Sequence, residues 1–382
     1  MKSVGIICEY NPFHNGHLYH LNKTKELYPN HVIIVVLGGA FLQRGNCSIL
    51  NKWDKTEIAL NYGADLVIEL PFPFASQSAD IFAKGAIQIL NNLKVDNLVF
   101  GSEKGDVQLL NKLVDCQLNN KDYERTVKKY LDEGINYPTA LSKALHDLTE
   151  YNIKQPNDLL GISYIKEIRK QNSNIKPFCI KRTNDYHSLE LDNQISSATS
   201  IRKALKENKD IKSYVPDLTF QYLTNNIVTV DKYYDYLKYK IVSSIDNLSI
   251  YQTVDEGLEN RIKKYIFISN NLDELIMNIK TKRYTYNKLN RMFTHILCNF
   301  TKEEANNFNN IEYIKVLGFN SIGQTYLNNI KKDVTIPIIT KYSDIKNKML
   351  DLEFRVNSVY ATISNNINLI ELEYKSKPII KK

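Results

Sequence analysis

The sequence predicts an α/β fold: a parallel sheet covered by helices in the first part, then a mainly helical second part. Three observations carry this. Short apolar runs alternate with helical segments through the N-terminal half. Those runs are continuously apolar, as in strands buried on both faces. Beyond about residue 222 the strand signals thin out and basic helical segments follow. Residues 221–382 carry +6 of the net charge of +8, and residues 1–220 carry the remaining +2.

In chain order, Ser3 to Cys8 reads as the first strand. Asn11-Pro12 cannot continue it and marks a turn. A helix follows, with Leu18, Leu21 and Lys25 at helical spacing. Strand, tight loop and helix start in succession offer backbone N–H groups to a phosphate. His14 and His17, three residues apart at the mouth of that helix, add imidazole donors, and Gly16 lets the backbone approach a bulky group. His14, His17 and His20 also admit a metal reading, but zinc would want a further Cys, His or carboxylate at ligand spacing.

His31 to Leu37 is a β-branched run closed by Gly38-Gly39, and Lys52 to Tyr62 reads as a helix. Ala64 to Leu70 is a third strand, stopped by Pro71 and Pro73. A helix over Ala79–Leu90 leads to a fourth strand, Asn97–Phe100, which ends at Gly101. A longer excursion has helices over Tyr123–Leu131 and Thr139–Tyr151 and another starting at Pro156, where Asn157 and Asp158 stand at the expected N-cap. Lys176 to Arg182 is the fifth strand. Ligands of such sheets bind beyond the carboxyl ends of the strands. The loop at 9–17, Gly38-Gly39, Gly101 and Arg182 are therefore expected in one crevice.

A second motif runs from Gln194 to Arg202, with four hydroxyl residues, Ser196, Ser197, Thr199 and Ser200, at the start of an amphipathic helix. Ordinary N-capping accounts for hydroxyls there. Clustered hydroxyls, backbone amides and Arg202 one turn in also make a pyrophosphate cradle.

The chain has 382 residues, 43% hydrophobic and 24% charged, which suggests two or three domains. No apolar stretch reaches the ~18 residues of a membrane span. The N-terminus lacks a signal-peptide pattern, and the five cysteines are odd in number and widely spaced. A cytoplasmic location with reduced thiols is the expectation. Helices are expected over Asp231–Ser244, Gly257–Ser269 and Tyr284–Cys298. Lys282, Arg283 and Arg291 are the leading nucleic-acid candidates, with Tyr284 and Tyr286 interleaved as stacking surfaces. A solvated helical face explains any one of them equally well.

His14-Asn15-Gly16-His17 and the Ser196–Arg202 segment resemble the paired motifs of nucleotidylyltransferases. The likeness goes further. Gly5 to His17, Gly63 to Pro71, Asn157 to Gly161, Ile195 to Arg202, Lys282 to Thr285 and Val316 to Asn320 resemble the bacterial tRNA(Met) cytidine acetate ligase family over nearly the whole chain. The resemblance implies a Rossmann-like nucleotidylyltransferase domain at 1–222 and a mainly helical, basic, tRNA-binding domain at 223–382. It implies ATP-dependent activation of acetate as acetyl-adenylate, then acetyl transfer to the wobble cytidine of elongator tRNA(Met), with Mg²⁺ accompanying ATP. ATP contacts map onto Ile7, Cys8, Glu9, Tyr10, Asn11, Pro12, Phe13, His14, Asn15, Gly16, His17 and His20, then Gly101, Asn157 and Arg182. Ser197, Ser200 and Arg202 are assigned to the phosphates, and His14 and His17 to catalysis. The alternatives are a cofactor-forming adenylyltransferase and a non-catalytic nucleotide-sensing RNA-binding protein.

Overall fold

The computed structural model describes residues 1–182, 196–228 and 232–382. Gln194 and Ile195 of the second motif, and Asp231 of the expected helix, lie outside the described residues. The strands are β1 (Ser3–Cys8), β2 (Val32–Gly38), β3 (Leu66–Leu70), β4 (Asn97–Ser102), β5 (Lys176–Lys181), β6 (Ile314–Phe319), β7 (Ile338–Ile339) and β8 (Ile379–Ile380). They form one sheet in the order β5-β4-β1-β2-β3-β6-β7, with β8 also paired to β6. The first five strands are parallel, as expected, with β1 in register from Ser3 opposite Val32 to Cys8 opposite Leu37. Helical crossovers cover both faces, so β2 and β3 are buried along their whole length.

Beyond the five expected strands, the sheet gains an antiparallel neighbour for β3 that the sequence reading did not include. β6 runs antiparallel to β3, pairing Leu66 with Phe319 and Ile68 with Val316. A strand arriving from the helical part needs no crossover to pair this way, and it covers the N–H and C=O groups that β3 would otherwise expose. The sheet therefore draws on residues from both sides of position 222.

Buried charges hold this junction. Lys52 bridges Glu69 at 2.6 Å and Glu373 at 2.5 Å, and Lys315 lies 3.2 Å from Glu69 and bonds Glu373. Burial works against the Glu69 carboxylate, but Lys315 and Lys52 together hold it low. Glu353 completes the cluster, accepting from the Phe72 N–H at 2.7 Å and from Asn357 at 2.9 Å.

The local grammar of the helices matches the sequence closely. Helix α1 spans Asn15–Leu27, and α2 spans Lys52–Tyr62 behind an Asn51 cap. Later helices include Ala79–Asn92, Tyr123–Asp132, Tyr137–Thr149, Ala198–Lys206, Tyr233–Ser243, Leu258–Tyr265 and Tyr286–Leu297. One detail differs. In the helix Pro156–Lys170 the N-cap position falls to Gln155, whose side chain makes no capping bond, and not to Asn157 or Asp158. Pro156 takes the first helical position, where its fixed φ is favourable and no N–H is missed. That moves both polar residues into the first turn.

Candidate active site

Strand order reverses at β1, with β2 and β3 to one side and β4 and β5 to the other. A cavity of about 320 Å³ opens at this switch point, beyond the carboxyl ends of β1, β4 and β5. The structure brings most of the expected residues to its wall. Ile7, Cys8, Glu9, Tyr10 and Asn11 come from the end of β1 and its loop; His14, Gly16, His17 and His20 from the start of α1. Gly101 lies in β4, Arg182 follows β5, Asn157 is in the first turn after Gln155, and Ser197 and Arg202 belong to the second motif.

Four expected contacts are not on the wall. Pro12 and Phe13 lie behind it, Phe13 fully buried and stacked on Tyr62 at 5.4 Å. Asn15 donates to the Ser213 carbonyl at 2.9 Å. Ser200 turns inward, its hydroxyl donating to the Ser197 carbonyl at 2.8 Å, while Ser197 Oγ accepts the Ser200 N–H at 3.1 Å. Ser197 is thus the N-cap, and Ser200 serves the helix start from beneath.

The α1 mouth is built by its histidines. His14 Nδ1 accepts the Gly16 N–H at 3.0 Å, and His17 Nδ1 accepts the His14 N–H at 3.3 Å. Arg202 joins the two motifs, donating to the Asn11 carbonyl at 2.7 Å and to Thr199 Oγ1 at 3.2 Å. Burial, followed by Arg182 and Arg202, lowers His14 to about 3. Burial and then His14 push His17 well down, and burial with Arg182 lowers His20 to about 4. All three imidazoles are neutral near pH 7.

Two buried nitrogens facing this space, His20 Nε2 and Arg182 Nε, have no hydrogen-bond partner among the described residues. Buried donors without partners are costly, and a polyanion in the cavity would satisfy them. Across the cavity, Asn157 Nδ2 donates to Glu103 at 2.6 Å, which fixes its amide beside Gly101.

Among the described residues the wall carries a single carboxylate, Glu9, and no three His, Cys, Asp or Glu side chains gather as metal ligands. The donor set does not fit a protein-held Mg²⁺, and no step below is routed through one.

Some lining residues escaped the sequence reading. Leu42, Gln43, Arg44 and Asn46 of the loop after β2 form the far wall, with Phe82 and Tyr164. Gly38-Gly39 pointed to that loop but not to its polar residues. Gly45 holds it against the helix Tyr286–Leu297: its φ is +80°, and a side chain there would lie 2.5 Å from the Arg291 nitrogen. Arg291 is half-buried at this contact, 3.3 Å from the Gln43 carbonyl, and burial lowers it to about 10. Lys282 and Arg283 are exposed.

A helix mouth with neutral imidazoles, facing a cationic hydroxyl-rich cradle at a parallel-sheet switch point, defines a nucleotidyl-transfer site. A family model described as HIGH Nucleotidyl Transferase matches residues 1–375. Proteins named tRNA(Met) cytidine acetate ligase from Caldicellulosiruptor saccharolyticus and Clostridium acetobutylicum are 40% and 39% identical, over 99% and 100% of this chain and 98% and 100% of theirs. The chain belongs to the HIGH nucleotidyl transferases and, among them, to the tRNA(Met) cytidine acetate ligase family. Crystal structures of Thermotoga maritima TmcAL, apo and bound with alpha-thio ATP, superpose with TM-scores of 0.91 and 0.88 at 28% identity, each covering 100% of this chain and 99% of theirs.

Proposed function

We propose that this chain activates acetate with ATP as acetyl-adenylate and passes the acetyl group to the wobble cytidine of elongator tRNA(Met), forming N4-acetylcytidine. One observation carries the reading: the His14–His17 helix mouth and the Ser197–Arg202 helix start face one cavity in a chain whose full-length relatives bear that ligase name. Those relatives favour it over a cofactor-forming adenylyltransferase or a non-catalytic sensor.

Acetate is already ionised at neutral pH, so the first step needs no base. It needs the carboxylate in line with the α-phosphorus and stabilisation of the departing pyrophosphate. With both Nδ1 atoms accepting, His14 and His17 carry their protons on Nε2 and serve as neutral donors. Arg182 and Arg202 supply positive charge, and the N-termini of α1 and the helix Ala198–Lys206 supply backbone N–H groups. Mg²⁺ accompanies ATP on its phosphates in this reading.

Residues 1–222 are assigned the ATP and acetate chemistry, and residues 223–382 the tRNA. The uneven charge and the exposed Lys282 and Arg283 support that division. No described helix is long and apolar enough to cross a membrane, and a cytoplasmic site of action fits a tRNA substrate.

The test is incubation of the protein with ATP, acetate and total tRNA. The expected product is N4-acetylcytidine in tRNA(Met), together with acetate-dependent pyrophosphate exchange. Exchange that follows another acid or a phosphorylated acceptor would overturn the reading.

A further inference from the structure

The proposed reaction leaves a carboxylate in the cavity without a task. Glu9 stands at the end of β1, where the nucleotide cradle meets the loop after β2, and it is the single carboxylate of the cavity wall among the described residues. A negative group beside ATP opposes the binding of its phosphates, and the first step gives a base nothing to accept. The second step does. A cytosine amine attacking the acetyl carbonyl becomes acidic as the C–N bond forms, and its proton needs an acceptor.

We infer that Glu9 is a catalytic residue of the transfer step, accepting the proton that the cytidine N4 amine sheds as it attacks acetyl-adenylate. This role rests on the proposed reaction. The N4 lone pair forms a bond to the acetyl carbon. The bond between that carbon and the phosphate oxygen breaks, and AMP leaves with the electron pair. The N4 proton passes to the Glu9 carboxylate and from there to solvent.

The geometry suits the task. Glu9 Oε1 accepts the Gln43 N–H at 2.6 Å, which fixes the carboxylate, while Oε2 makes no hydrogen bond with the described residues. Gln43, Arg44 and Tyr164 border the same space. Lys55 of α2 donates to the Glu9 carbonyl at 3.1 Å and to the Gly38 and Gly39 carbonyls. Arg44 comes from the loop after β2, Arg202 from the second motif, and the Cys8 thiol and Tyr164 phenol complete the surroundings. Burial raises the Glu9 carboxyl above its ordinary value, and the Gln43 N–H and the three cations only partly reverse this. A carboxylate so placed is more basic than an exposed one.

The test separates the steps. Wild type and Glu9→Gln are given synthetic acetyl-adenylate and unmodified tRNA(Met), and N4-acetylcytidine is followed in a single turnover. Acetate-dependent pyrophosphate exchange is measured in parallel. Glutamine keeps the oxygen that Gln43 bonds, so the fold and loop are retained. The loss in transfer is expected to exceed any loss in exchange by a factor on the order of 10² or more, the size of a lost general base. The wild-type transfer rate should rise with pH through an ionisation above the usual carboxylate range, and that limb should vanish in Glu9→Gln and return, at a lower rate, in Glu9→Asp. Equal losses in both assays, or an unchanged pH limb, overturn this role alone. A wild-type chain that neither exchanges pyrophosphate with acetate nor transfers the supplied acetyl group overturns the reaction and this role with it.

Discussion

His14 and His17 cap one helix reciprocally: His14 Nδ1 accepts the N–H of Gly16, and His17 Nδ1 accepts the N–H of His14, with ring centroids 3.9 Å apart. The same bonds that start α1 fix which nitrogen of each ring carries the proton. Helix initiation and the proposed phosphate recognition are therefore one arrangement, and substitution of either residue touches both.

Removing His17 tests the chemical half. His17→Ala is expected to slow acetate-dependent pyrophosphate exchange by about 10²–10³, the size of losing one transition-state donor. His14→Ala should add a stability cost of about 0.5–2 kcal/mol from the lost cap, whereas His14→Asn should restore the cap without restoring exchange. Urea midpoints and exchange rates on the three variants check this. Normal exchange in His17→Ala would remove that residue from the mechanism.

Buried neutral histidines should also make the fold acid-sensitive. The folded value of His14 is depressed to about 3 from 6.5. The stability it contributes is therefore present above pH 6.5 and lost progressively as pH falls from there toward 3, because the unfolded chain binds the proton first. Asp54, raised to about 6 by burial, works in the opposite sense below that pH. The wild-type curve alone is thus a mixture. The expected signal is a difference: His14→Asn should lose less stability than wild type between pH 7 and 5, read from urea midpoints.

The mixed-charge cluster predicts an alkaline counterpart. Burial and then the Glu69 charge push the Glu353 carboxyl up to about 8. The folded state holds that proton more tightly than the unfolded chain. Its stability contribution is present below the ordinary carboxylate value and lost as pH rises through about 8. Glu353→Gln, which keeps an acceptor for the Phe72 N–H, is expected to flatten the decline in urea midpoint between pH 7 and 9. A variant curve parallel to wild type would show that Glu353 is ionised in the folded protein.

Substitutions in the two halves of the chain should separate ATP use from tRNA binding. Arg202→Ala removes a cation of the phosphate cradle and the bond to the Asn11 carbonyl, so ATP use should fall while tRNA binding persists. The pair Lys282→Ala and Arg283→Ala should weaken tRNA binding and flatten its salt dependence by up to about two units of slope if both meet phosphates. The exposed Arg283–Glu256 contact at 3.9 Å offers little stability to lose. Filter binding across a salt series, with pyrophosphate exchange as the control, checks both. Loss of exchange in the folded double variant would place the C-terminal part over ATP.

Much of this was legible because local signals and tertiary demands agree. Pro71 after β3 and the apolar runs of β2 and β3 each specify their element within a few residues. The histidine motif and Arg202 were legible because phosphate binding requires particular residues at fixed places in a local turn. What escaped depends on distant parts of the chain. Gln43 and Arg44 gain meaning only when the loop after β2 folds against Asn290 and Arg291, more than 240 residues away. Ser200 points inward because Ser197 takes the cap, a choice that four hydroxyls within five residues leave open. The antiparallel entry of β6 was invisible for a related reason: strand direction is set by partners, and Val316 to Phe319 reads the same either way.

The antiparallel entry of β6 sets a timetable for protein synthesis. Residues 314–319 border β3 and bring Lys315 to the acids of the junction, so they must leave the ribosome before the sheet that carries the histidine mouth is complete. A nascent chain halted after the second motif would already contain each cradle residue, yet β3 would show an unpaired edge and Glu69 would lack one of its two lysines. Premature termination should thus yield chains prone to stick to one another, not a shortened enzyme that spends ATP without a tRNA to modify.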